Sequence, residues 1–168
     1  MDQLSQILER LNGARVEYVV VGGLAAVFHG VPLVTRDVDI CLPLTEENLL
    51  RLESALADLH PVHRQTPQRL PFSVAADFPR GLKNIYLRTD WGVLDCLGEI
   101  KGIGDFAAVE RRSLRVELPI GACRILDLGA LIDSKSAMDR TQDKLALIHL
   151  KQIQQWNKSG KPGNGVKP

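Results

Sequence analysis

The apolar positions change their spacing several times along the chain, and each change marks an element. Leu4, Ile7, Leu8 and Leu11 recur at helical spacing, and Gly13 follows as a natural stop. VEYVVVGG, from Val16 to Gly23, is β-branched and almost wholly apolar, the pattern of a central strand buried on both faces. LAAVFHG predicts a short helix ending at Gly30, after which Pro32 forces a connection. DVDICL, from Asp37 to Leu42, alternates as a second strand. TEENLLRLESALADLH predicts a helix capped by Thr45, with its acidic residues near the positive end.

Beyond that helix the signals alternate between clear and faint. Pro67, Pro71 and Pro79 break up the stretch from Pro61 to Arg80, which predicts loop with one short element. NIYLRTDWGVLDCL reads as a hairpin turning near Asp90-Trp91-Gly92, and LRVELPIGACRIL as another turning near Pro119 to Gly121. IGDFAAVERRS predicts a short helix between them. DLGALIDSKSAM and TQDKLALIHLKQIQQW predict two closing helices. The order begins helix, strand, helix, strand and continues with hairpins. The fold class is therefore α/β (α+β), a mixed sheet flanked by helices. No internal repeat is present.

Composition narrows the picture only a little. A chain of 168 residues predicts one domain, taken as 1–156, with 157–168 (NKSGKPGNGVKP) as a flexible tail lacking core-forming residues apart from Val166. A formal net charge of +1 announces no nucleic-acid or membrane partner through a global field. Cys41, Cys96 and Cys123 each lie in an apolar run without C-x-x-C spacing, which predicts buried free thiols in a reducing compartment. The opening residues form an amphipathic helix rather than a leader, and no stretch approaches the ~20 apolar residues of a membrane helix. The expectation is a cytoplasmic protein.

The chemistry concentrates in VVVGGLAAVFHGVPLVTRDVDICL, from Val19 to Leu42. On a strand the side-chain period is two, so Asp37 and Asp39 share one face while Val38 and Ile40 take the other. Two carboxylates ~4 Å apart repel by about 4 kcal/mol at an effective dielectric near 20. A divalent cation turns that repulsion into attraction, and an all-oxygen donor set favours Mg²⁺ or Mn²⁺. Asp95, an acidic residue between Leu94 and Cys96 in a predicted strand, is the candidate third carboxylate. Such a cluster can serve phosphoryl transfer through two metals. Gly22-Gly23 closes the apolar strand and opens a helix, where backbone N–H groups can approach a phosphate. An anion cradle beside a cation site is what a nucleoside triphosphate with its metal requires.

These residues resemble the DNA polymerase β-type nucleotidyltransferase superfamily, in which a strand–Gly-Gly/Ser–helix segment precedes a D-x-D or D-x-E strand. Within it the chain is similar to the small bacterial AbiEii-like nucleotidyltransferases, through Gly22, Gly23, Ala25, His29, Gly30, Thr35, Asp37 and Asp39, and through a later Lys135, Arg140 and Asp143. The resemblance covers about Leu4 to Leu150. It implies catalytic, metal-binding Asp37, Asp39 and Asp95, with Asp95 as general base. It implies nucleotide contacts from Gly22, Gly23, Thr35, Lys135, Arg140 and Asp143. The implied reaction is attack of a hydroxyl on the α-phosphate of an NTP, with Mg²⁺ or Mn²⁺ as cofactor. The acceptor stays open among transfer RNA, a protein and a small molecule. A toxin role would add an antitoxin protein as partner. The chain also departs from the pattern. Gly23 replaces the serine often found there, and Leu33 and Val34 stand where relatives often carry a basic residue before Thr35. The departures keep open a catalytically degenerate nucleotide-binding module, or a metal-dependent phosphodiesterase built on the same carboxylates.

Other chemistry-bearing residues have plainer readings. His29 suits a helix C-terminus. His60 and His63 lack a third nearby zinc ligand. Arg111, Arg112 and Arg115 read as a solvated strand edge, and Trp91 as an ordinary exposed aromatic at a turn.

Overall fold

The computed structural model describes residues 3–74, 82–119, 121–138 and 141–160. Its elements run α1 (Gln3–Gly13), β1 (Val19–Val20), α2 (Gly22–Phe28), β2 (Asp37–Cys41), α3 (Glu46–Leu56), β3 (Val62–His63), β4 (Asn84–Thr89) and β5 (Gly92–Leu97). They continue with β6 (Glu99–Ile100), β7 (Gly104–Asp105), α4 (Phe106–Arg111), β8 (Ser113–Leu118), β9 (Gly121–Leu126), α5 (Leu128–Met138) and α6 (Thr141–Lys158). The main sheet has seven strands in the order β3-β4-β5-β2-β1-β9-β8, and β6 and β7 form a small second ladder. The pairings β1–β9 and β2–β5 are parallel and the others antiparallel, so the sheet is mixed, in keeping with the alternation of helices and hairpins in the sequence.

Local chemistry explains most boundaries. Helix α1 buries Ile7, Leu8 and Leu11 and packs against α3, which buries Leu49, Leu52 and Leu56. Thr45 caps α3 by accepting a hydrogen bond from the Asn48 N–H at 3.3 Å. The Asn48 side chain is itself buried and satisfied. It donates to the carbonyls of Glu17 and Pro43 and accepts from the Glu17 N–H at 2.8 Å, tying the lead into β1 to the exit from β2. Asp105 caps α4, with Ala108 N–H at 3.0 Å from its carboxylate.

The long apolar run at Val16–Gly23 does not become a long strand. Val16, Tyr18, Val19, Val20 and Val21 are all buried, yet only Val19 and Val20 are strand. The cause is Gly22, whose φ of +62° turns the chain, so that α2 begins two residues before the pattern predicts. The ladder β6–β7 is absent from the sequence reading, because two-residue strands around the turn at Gly102 leave no periodic signal. Both predicted hairpins form, and the proline-rich stretch holds the short β3 and an isolated bridge between Val62 and Pro71. Helix α6 runs through Asn157 and Lys158, two residues past the last apolar position of its pattern. Cys41, Cys96 and Cys123 are buried free thiols. No described helix is long and apolar enough to cross a membrane.

Candidate active site

The strand alternation predicted for DVDIC holds. Val38 and Ile40 are fully buried on the core face, while Asp37 is exposed and Asp39 partly buried on the other. The parallel pairing of β2 with β5 sets Asp39 directly opposite Asp95, and Asp37 opposite Val93. Leu94 and Cys96, either side of Asp95, are wholly buried. All three carboxylates therefore belong to one face of the sheet. Across β5, the antiparallel pairing with β4 places Tyr86 beside Asp95.

Gly22 makes room for this arrangement. A Cβ at Gly22 would lie 2.1 Å from Asp39 Oδ2, nearer than any side chain permits. The next residue, Gly23, donates its backbone N–H to the Asp39 carboxylate. In this structure both glycines thus serve Asp39. Thr35 lies against the same turn: its hydroxyl donates to the Asp37 carbonyl at 3.1 Å and stands 3.1 Å from where a Gly23 Cβ would be.

Burial pushes the Asp39 carboxyl up to about 6, with the neighbouring Asp95 and then Asp37 adding to the rise, while the Gly23 N–H and Lys135 oppose it. The opposition from Lys135 puts α5 within electrostatic reach of Asp39. Lys135, on α5, holds Asp143, on α6, at 2.7 Å; Asp143 is almost wholly buried, and its other oxygen, Oδ2, has no hydrogen-bond partner among the described residues. Arg140, the remaining residue of that motif, lies outside the described residues.

One side chain in contact with the carboxylates escapes the sequence reading. Arg64, just beyond β3, takes both oxygens of Asp95, with Nε on Oδ1 at 3.1 Å and Nη2 on Oδ2 closer still. Its backbone N–H donates to the Tyr86 carbonyl at 3.0 Å, and its guanidinium lies over the Tyr86 ring, 5.3 Å from the centroid. The hydrogen bonds to Asp95 strengthen its hold on its own proton. No periodicity marks Arg64, since it sits in the proline-broken stretch; only the fold brings β3 to the edge of the row Asp39–Asp95–Tyr86. Among the described residues, no three His, Cys, Asp or Glu side chains are already drawn together as a metal-holding group. The third carboxylate is instead engaged by a guanidinium.

His29 closes α2, and its Nε2 makes a hydrogen bond of 2.8 Å with the Leu126 carbonyl, so it ties α2 to β9 rather than facing the carboxylates. His60 pairs with Asp90 at 2.7 Å on the surface.

Solved structures share the overall architecture. The chain matches the lincosamide antibiotic adenylyltransferase LnuA in its lincomycin-bound crystal structure with a TM-score of 0.60, at 19% identity, over 90% of this chain and 96% of that one. The chain has the nucleotidyltransferase fold. A second likeness, to the antibiotic-resistance factor ANT(2'')-Ia in solution, has a TM-score of 0.51 at 16% identity, over 94% of this chain and 90% of that one. No protein-family model matches the sequence, and no curated protein does. Within the nucleotidyltransferase fold of this chain, β2 supplies Asp37 and Asp39, β5 supplies Asp95, and the turn into α2 supplies the glycine pair.

Proposed function

We propose that the protein is a metal-dependent nucleotidyltransferase that moves a nucleoside monophosphate from an NTP to a hydroxyl acceptor. The observation that carries this reading is the in-register placement of Asp39 against Asp95, with Asp37 on the same face and Gly22 cleared of any side chain beside them.

The residues suit a hard divalent cation. Every donor is a carboxylate oxygen, and Asp39 is held above the usual carboxylate range by burial and by its acidic neighbours, which is the signature of a group that gains from a cation. Asp37 and Asp39 would hold Mg²⁺ or Mn²⁺, with Asp95 as the third oxygen ligand. A bound ion would offset the charge of the triphosphate and of the leaving group.

The chain's own residues do the rest. Asp95 accepts the proton of the acceptor hydroxyl as its oxygen attacks the α-phosphorus; the bond from that phosphorus to the bridging oxygen breaks, and pyrophosphate leaves. The turn at Gly22-Gly23 lets the phosphates approach the backbone closely, and Thr35 lines the same turn. Lys135 contributes positive potential at the carboxylates while anchored by Asp143. LnuA is a lincosamide adenylyltransferase, which makes a small molecule bearing hydroxyl groups the first acceptor class to test, ahead of transfer RNA and protein. Labelled NTPs, Mg²⁺ and a panel of such acceptors, followed by mass spectrometry, test the reading. Transfer should vanish in Asp37→Ala and Asp39→Ala, and transfer that survives either change defeats the assigned roles.

One observation favours a second reading, a nucleotide-binding module without turnover: Arg64 occupies both oxygens of the general base. Thermal stabilisation by NTP that needs no metal, with no product from any acceptor, would select it. A toxin role, with an antitoxin as partner, would show instead as growth arrest on expression, relieved by Asp39→Ala.

A further inference from the structure

We propose that Arg64 is a latch on the third carboxylate, competing with the divalent cation for Asp95 and released when that carboxylate joins the metal site. The proposal rests on the metal-dependent reading above but concerns a residue to which that reading gives no role.

A guanidinium meeting a carboxylate through Nε and one Nη engages both oxygens at once and neutralises the charge, so an ion near Asp39 has to compete with it for Asp95. Asp95 is only 13% exposed, so its charge must be matched by something, and Arg64 is what matches it here. Arg64 is one-third exposed and follows a two-residue edge strand, so little packing opposes its withdrawal. Its anchors lie on the far side from the carboxylates of β2: the Tyr86 carbonyl for its backbone and the Tyr86 ring for its guanidinium. Among the described residues neither Asp37 nor Asp39 is paired with a guanidinium or ammonium group, although the Arg64 charge also reaches Asp37, and the two share the acidic face with Asp95. With the latch closed, the site holds two ligating carboxylates and a third that is neutralised. With it open, the site holds three.

Metal binding alone, without nucleotide or turnover, tests this. Free Mn²⁺ is counted by electron paramagnetic resonance as the ion is titrated into wild type, Arg64→Gln, Arg64→Lys, Asp95→Asn and the double variant Arg64→Gln/Asp95→Asn, each checked for folding by circular dichroism. Arg64→Gln should bind Mn²⁺ on the order of ten-fold more tightly than wild type, the lower end of what groups behind a metal ligand contribute. Arg64→Lys, which keeps the charge but cannot grip both oxygens, should fall between them. Asp95→Asn should bind much as wild type does, and adding it to Arg64→Gln should cancel the gain. Unchanged or weaker binding in Arg64→Gln overturns the latch, as does a gain that persists in the double variant or a wild type that binds no Mn²⁺. Arg64→Gln that tightens Mn²⁺ while every variant lacks transfer activity would retain the latch and defeat the enzymatic reading, so the two failures are distinct.

Discussion

Asp39→Asn should make the metal-free protein more stable while abolishing metal binding. In the folded chain the Asp39 carboxyl is raised from an ordinary 3.8 to about 6, chiefly by burial and next by Asp95. A shift of roughly two units corresponds to about 3 kcal/mol at ~1.4 kcal/mol per unit, taken as a ceiling because Asp39 is not wholly removed from water. The folded pKa lies above the unfolded one. The stability linked to this group is therefore fully present below about pH 4 and is lost as pH rises through about 6. Asparagine is nearly isosteric, keeps an oxygen for the Gly23 N–H and carries no charge. At pH 8 in a chelator the variant should gain up to about 3 kcal/mol, or roughly 5–10 °C in melting temperature for a chain of this size. Near pH 4 the gain should shrink below about 1 kcal/mol. Saturating Mg²⁺ should reverse the order at pH 8, since under the proposed function only wild type would hold the ion and be stabilised by it. Circular dichroism melts at the two pH values, with chelator and with Mg²⁺, supply the measurement. A variant that melts at or below wild type in chelator at pH 8, or whose gain is equal at both pH values, refutes the assignment of Asp39 as a buried carboxylate poised for a cation.

Two further perturbations follow from the same geometry. Gly22→Ala should cost at least about 2 kcal/mol, combining the strain of a positive φ with a Cβ driven into Asp39 Oδ2, and should weaken Mn²⁺ binding; denaturant melts and metal titration check both. Lys135→Met should cost about 3 kcal/mol because it strands the buried Asp143 carboxylate, and Lys135→Met/Asp143→Leu should recover most of that loss in urea melts.

The parts of the site that lie close together in the chain were legible in the sequence. Asp37 and Asp39 follow from the two-residue period of a strand, and Gly22 from its place at the end of an apolar run. Asp95 could be picked out as the third carboxylate from its apolar flanks, but its direct opposition to Asp39 was not legible, because it depends on a parallel register between strands more than fifty residues apart, which no local pattern encodes. Arg64 was hidden for a related reason: its neighbours His63, Gln65 and Thr66 give no period, and its partner lies 31 residues away across two strand pairings. The short β1 shows the converse error. Burial of Val16 and of Tyr18 to Val21 was read correctly, but burial on both faces does not require a long ladder when a glycine turns the chain at Gly22. Lys135 and Asp143 sit on separate helices, so their contact is a product of how α5 packs against α6 rather than of spacing along one helix.

The five-place ladder between β2 and β5 constrains how this chain can change. Moving β5 by a single residue would turn Asp95 inward among leucines and send Cys96 outward in its stead, leaving Asp39 facing a thiol. Insertions between Val93 and Leu97 are thus barred, because each would slip this register. Lineages descended from this sequence must inherit the acidic row of β2 and β5 whole or abandon it.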